Sequence, residues 1–208
     1  GMTPGLHFHY NKAGKSDPYV TPKPDHRLNL RRHFTLSSPV DRQDTVIYTE
    51  ENPEGITLAD GRRILRIGDE LVTYSDYSTT PPYKFTGCSR GALNTTAEVH
   101  PLKHKFGLLD VDSWPKFVRF NQSTGIQEEV AEKIAEIYQK AGFQFVYFDG
   151  AEDVHPPYWF TCSKAQWEVY KRLHPEPIFA EGAAKSHFSW HMLSRANAFD
   201  TFRPEVIK

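Results

Sequence analysis

Three apolar, β-rich runs in this chain each end on a polar side chain. They are Phe117-Val118-Arg119-Phe120-Asn121, Phe145-Val146-Tyr147-Phe148-Asp149 and Ile178-Phe179-Ala180-Glu181. The terminal residues lie 28 and then 32 residues apart. A strand, a helix and two loops consume about 30 residues, so the spacing predicts parallel strands opening on one side. Folds of this kind gather their chemistry at the C-terminal strand ends. Asp149 is followed by Gly150, which lets the backbone turn away from the carboxylate. Its chemistry would be nucleophilic attack or stabilisation of a developing cation; the competing reading is a cap on the next turn. Glu181 is the second acid, with a salt bridge to Lys185 or Arg195 as its structural alternative. Glu152, on the loop after Asp149, is a further acid. Adjacent strand ends are about 5 Å apart, a distance that permits the paired carboxyls of glycoside hydrolysis.

The loops after these strands add binding groups. In Lys185-Ser186-His187-Phe188-Ser189-Trp190-His191, Trp190 has a face for a sugar ring, and Lys185, His187 and His191 have donors for hydroxyls. His187 and His191 are also spaced i, i+4. With Asp149 or Glu152 they open a metal-dependent hydrolase as an alternative, although the HExxH signature is absent. In His155-Pro156-Pro157-Tyr158-Trp159 two prolines stiffen a loop that carries two aromatics. That loop is either a wall of the site or a surface loop pinned by its tryptophan.

The elements that must position these residues follow from local pattern. Residues 1–32 show no period and read as an irregular arm. Residues 33–106 read as an antiparallel β module: Arg63–Ile67 and Glu70–Tyr74 alternate and are joined by Gly68-Asp69, a tight-hairpin pattern. Thr45–Tyr48 and Tyr83–Thr86 are further strands. Residues 107–208 read as parallel α/β. Thr124 and Gln127 form a capping-box pattern before a helical face, and Gly142 stands where a helix ends. Ser163 and Gln166 repeat the cap, and a third helix is expected within 186–197. The fold class is therefore α/β, a partial or truncated (β/α) barrel preceded by a small antiparallel β module. A full barrel takes about 250 residues, so a partner chain or a missing segment would complete this one. A small open α/β sheet is the alternative.

The totals narrow the function. Of 208 residues, 38% are hydrophobic and 25% charged, which predicts a packed core rather than disorder. The formal net charge of −1 argues against a grip on nucleic acid or an anionic membrane. No apolar run reaches a membrane span. Cys88 and Cys162 are the only cysteines and form no CxxC pair, which excludes a zinc ribbon. Neither GxGxxG nor GxxxxGK[ST] occurs, so no nucleotide cofactor is expected, and no cofactor of another kind is read. No charged-then-apolar leader is read at the start of the chain.

The segment Phe145–Asp153, FVYFDGAED, resembles the nucleophile strand of barrel glycoside hydrolases of the α-fucosidase and α-galactosidase type. FAEGAAKSHFSWH reads like the following strand and its active-site loop. The resemblance implies a (β/α) barrel, a carbohydrate ligand, a secreted or periplasmic setting, and Asp149 as the carboxylate attacking the anomeric carbon. It leaves Glu152 and Glu181 both open as general acid/base, with Asn121, His155, Tyr158, Trp159, Lys185, His187, Trp190 and His191 binding substrate. A non-catalytic carbohydrate-binding protein on a degenerate barrel is the rival reading. Upstream, Ile67-Gly68-Asp69-Glu70 with Gly87-Cys88-Ser89-Arg90-Gly91, Thr95 and His100 is similar to a β module of secreted carbohydrate-related and phage-type proteins. Asn94 stands where that pattern commonly has glycine. Arg90 and His100 are expected to knit the turn to the barrel.

Overall fold

The computed structural model describes residues 1–150, 156–183 and 189–197, with Tyr158, Trp159 and 195–197 described as backbone. The chain forms two compact units, one of Gly1–Lys12 with Phe120–Lys208 and one of Ala13–Arg119.

The first unit is built on a four-stranded sheet of Gly5–His9, Phe145–Asp149, Phe179–Ala183 and Arg195–Asn197, in that order and all parallel. Helix α1 (Ile126–Ala141) and helix α2 (Tyr158–Tyr170) supply the connections. Ile126, Ala131, Ile134, Ala135 and Tyr138 recur at helical spacing and are the buried stripe of α1. Gly142 ends the helix at φ +66°, its N–H reaching back to the last carbonyls; a left-handed residue there favours glycine. Val146, Phe148 and Ala180 point from the sheet into the same core as Cys162, Ala165 and Val169 of α2. Alternation sends the intervening residues to the other face.

Several expectations are corrected here. The partial (β/α) barrel is overturned. Among the described residues strand outweighs helix, 31% against 16%, and no barrel is present. Among the described residues the parallel strands make an open sheet whose outer members each pair on one side only, whereas closure requires a full ring of tilted strands. The run at Phe117 is not a strand of the parallel sheet. Phe117–Arg119 pairs instead with a short strand at Lys12–Gly14. The strand beside Phe145–Asp149 is Gly5–His9, inside the stretch expected to be irregular. Its place depends on Gly5, where a Cβ would fall 2.1 Å from the Phe145 ring. That ring stacks on Phe179 at 4.7 Å and 11°. Neither capping pattern operates. α1 starts from Gly125 with no side-chain cap, while Gln127 donates to the Tyr10 carbonyl at 2.8 Å. α2 starts after Pro157, which leaves Ser163 within the helix. Within 189–197 the third helix is replaced by a turn and a strand.

The second unit is antiparallel. One sheet orders Leu30–Thr35, Lys105–Leu109, Ile64–Ile67 and Glu70–Thr73; another orders Val46–Tyr48, Lys84–Thr86 and Asp76–Ser78. The expected hairpin is present, with Ile67 opposite Glu70 and Gly68 at φ +59°. Phe34, Phe85 and Phe106 pack edge-on and tilted in the core. At its margin lies a buried ionic knot. The Glu70 carboxylate accepts from Arg90 Nη2 at 2.7 Å and Nε at 2.8 Å, and from the N–H groups of Gly91 and Glu98. It also pairs with His100 Nε2 at 2.8 Å. Arg90 and His100 therefore bind within the β module, and the motif's scattered residues meet on one carboxylate. Thr95 completes the turn by accepting from the Leu71 N–H at 3.0 Å. Asn94 holds φ +62°, a left-handed conformation that asparagine tolerates.

Burial alone would raise the Glu70 carboxyl. The hydrogen bonds from His100, Arg90 and the backbone override it and bring the group down to about 2. The unfolded group titrates near 4.5. The depressed value stabilises the fold above pH 4.5, and the contribution is lost as pH falls toward 2. Between pH 6 and pH 2.5 the second unit is expected to lose about 2.5 kcal/mol through Glu70. Urea unfolding across that range checks this; a loss unchanged in Glu70→Gln would refute it.

Candidate functional site

One face of the parallel sheet is apolar, and the other carries polar groups beside the stacked Phe145 and Phe179. α1 and α2 take the face carrying Val146, Phe148 and Ala180. The register pairs His7 with Tyr147, His9 with Asp149 and Tyr147 with Glu181. Parallel partners share a face, so His7, His9, Tyr147, Asp149 and Glu181 lie together on the side away from the helices.

Asp149 is the centre of this group. Its Oδ2 lies 3.0 Å from His7 Nε2 and 4.0 Å from His9 Nδ1. The Tyr147 ring meets the His7 ring edge-on at 4.9 Å. The Asp149 side chain is 32% exposed, so it is both held and open to a ligand. Burial, and then the charge of Lys12, pull His9 below its ordinary value despite the opposing pull of Asp149. His9 is therefore neutral at pH 7.

Gly150 makes this packing possible. It sits at φ +93°, and a Cβ there would fall 2.9 Å from His9 Nδ1 and 2.7 Å from Lys12 Cε. Lys12 can swing aside, but the His9 ring is fixed to its strand. Gly150→Ala is expected to cost about 1–3 kcal/mol and to displace the His9 ring. Thermal unfolding and the His9 imidazole resonances check this; an unshifted Tm with unmoved resonances contradicts it.

The expected site residues are only partly brought together. Asp149 and Glu181 share the polar face. Glu181 does not end its strand, which continues through Gly182 to Ala183. It stands opposite Tyr147, one step behind Asp149, and Arg195 is its partner in register on the next strand. Asn121 lies outside the sheet, where its Oδ1 accepts from the Ser123 N–H at 2.9 Å in the turn before α1. His191 lies 6.0 Å from the Trp167 ring of α2, a helix on the opposite side of the sheet from Asp149. Trp190 flanks His191 at 5.8 Å and is 80% exposed. Tyr158 and Trp159 form the first turn of α2. Glu152, His155, Lys185 and His187 lie outside the described residues. Among the described residues, no three His, Cys, Asp or Glu side chains converge as a metal-ligand set.

His7 and His9 are the residues that strand-end spacing overlooks. Their signal is the alternation Leu6-His7-Phe8-His9-Tyr10, a period of two that marks a half-buried strand. Tyr10 anchors that strand on the core side. Its hydroxyl lies 3.3 Å from Cys162 Sγ and accepts from Gln166 Nε2 at 3.2 Å. The letters Gly87-Cys88-Ser89-Arg90-Gly91 also fit G-x-S-x-G, yet the elbow's strand-to-helix context is absent. Ser89 bridges antiparallel to Thr73, and Arg90 and Gly91 are bound to Glu70.

The chain matches no family model and no curated protein. Among solved structures it is similar to a "Family GH13_31 enzyme", at 13% identity and a TM-score of 0.44. That likeness covers 98% of this chain and 36% of the other. At this distance it carries no argument about fold, site or activity, and it does not extend to the α-fucosidase and α-galactosidase type.

Proposed function

We propose that this chain carries a glycoside-hydrolase-like site on the polar face of its parallel sheet. Asp149 acts as nucleophile on the anomeric carbon, and Glu181 is the general acid/base. The observation that supports this reading is the pairing of two carboxylates on one face, with Asp149 oriented by His7 and left partly open. A neutral His9 beside it suits a nucleophile, because a cation there would lower the carboxylate's basicity. The test is release of aglycone from a panel of aryl glycosides by the wild-type chain and by Asp149→Asn. Release by the wild type that the variant loses is the expected result. No release by either, or equal release by both, overturns the assignment.

One observation favours a second reading, in which the chain binds carbohydrate without cleaving it. Trp190, His191 and Trp167 form an exposed aromatic row on the far side of the sheet from Asp149, and such rings stack on sugars. This reading predicts saturable glycan binding that is insensitive to Asp149→Asn and lost in Trp190→Ala.

A further inference from the structure

The Ala13–Arg119 unit contains a cleft of about 320 Å³ that the carboxylate site does not use. That volume is at the lower end of small-molecule sites. Its lining combines two cations, Lys15 and Arg63, one anion, Asp60, and four hydroxyl-bearing side chains, Ser89 among them, with apolar surface from Ile64 and Leu93. The Lys15 ammonium donates to the Gly61 carbonyl. Burial lowers its affinity for the proton, opposed by Asp112 and Asp60. An ammonium has three donors, so this one has capacity for a ligand beside the carbonyl. Arg63 Nη2 lies 3.1 Å from Asp60 Oδ1, and the Asp60 side chain is 99% exposed. The rim thus offers a planar donor fork and a carboxylate acceptor next to each other.

The charge balance selects the ligand class. Lys15 and Arg63 are offset by Asp60 in the lining and by Asp112 close to Lys15. A site for phosphate or a sugar acid would leave its cations uncompensated. Adjacent donors and acceptors beside apolar surface instead match a neutral saccharide, which has hydroxyls at its edge and C–H groups on its faces. We propose that this cleft binds a neutral saccharide of one or two rings, its hydroxyls shared among Lys15, Arg63 and Asp60. The proposal does not rest on the Asp149 reading, since the two sites belong to different compact units.

The test is ligand-observed NMR with neutral hexoses, a disaccharide and glucuronate. The proteins are the wild-type chain, Lys15→Met and Ser89→Tyr. Ser89 is exposed, so its tyrosine variant blocks the cleft without removing a charge or a core contact. A neutral sugar is expected to bind the wild type, and to lose about tenfold or more in affinity in both cleft variants. Thermal unfolding of each variant establishes that it is folded. The proposal is overturned if no neutral sugar binds, if glucuronate alone binds, or if folded Ser89→Tyr binds as the wild type does.

Discussion

Glu70→Ala is expected to destabilise the Ala13–Arg119 unit by about 3–5 kcal/mol, the usual cost of removing one partner from a buried ion pair. The Glu70 side chain is fully buried, and Arg90 and His100 are 6% and 3% exposed. Truncation leaves a guanidinium and an imidazole without their carboxylate. It also removes the acceptor for the Gly91 and Glu98 N–H groups. Burying these donors unpaired costs far more than their pairing contributes. Glu70→Gln keeps the volume and one acceptor oxygen, so its loss is expected to be smaller. Urea unfolding should move to a lower midpoint at unchanged slope. A loss under about 1 kcal/mol for Glu70→Ala would show that the knot is not what closes this turn.

Asp149→Asn is expected to lower kcat on a cleavable aryl glycoside by at least about 10²–10⁴-fold, the range for a residue that handles the reacting bond. Asparagine has nearly the same shape and can still accept from His7, so the sheet and its polar face should survive. What it lacks is the charge that the proposed mechanism uses at the anomeric centre. The loss should therefore fall on kcat, with KM close to the wild-type value. Equal unfolding midpoints for the two proteins separate this from a folding defect. A rise in KM at constant kcat would assign Asp149 to binding and remove it as the nucleophile.

Local periodicity made much of the fold legible. The Gly68-Asp69 hairpin, the buried stripe of α1, the stop at Gly142 and the strand Phe145–Asp149 follow from neighbours a few residues apart. The parallel direction of Phe145–Asp149 and Phe179–Ala183 follows too, because a helix between strands returns the chain to the same end. The convergence of Arg90 and His100 on Glu70 was half legible. The motif picked out the residues but assigned their partner to the wrong part of the chain.

Sheet membership and register came only from the tertiary structure. His7 and Asp149 are 142 residues apart, and no local pattern links them. Gly5–His9 joins the sheet because its Leu6 and Phe8 pack on the helix-covered core and Gly5 leaves room for the Phe145 ring. That choice turns His7 and His9 toward Asp149, since side chains alternate along a strand. The same register sets Glu181 opposite Tyr147, one step behind the strand end where its apolar run had suggested it. Periodicity tells a strand which of its faces is apolar. Which neighbour it pairs with depends on how all the apolar faces are buried at once.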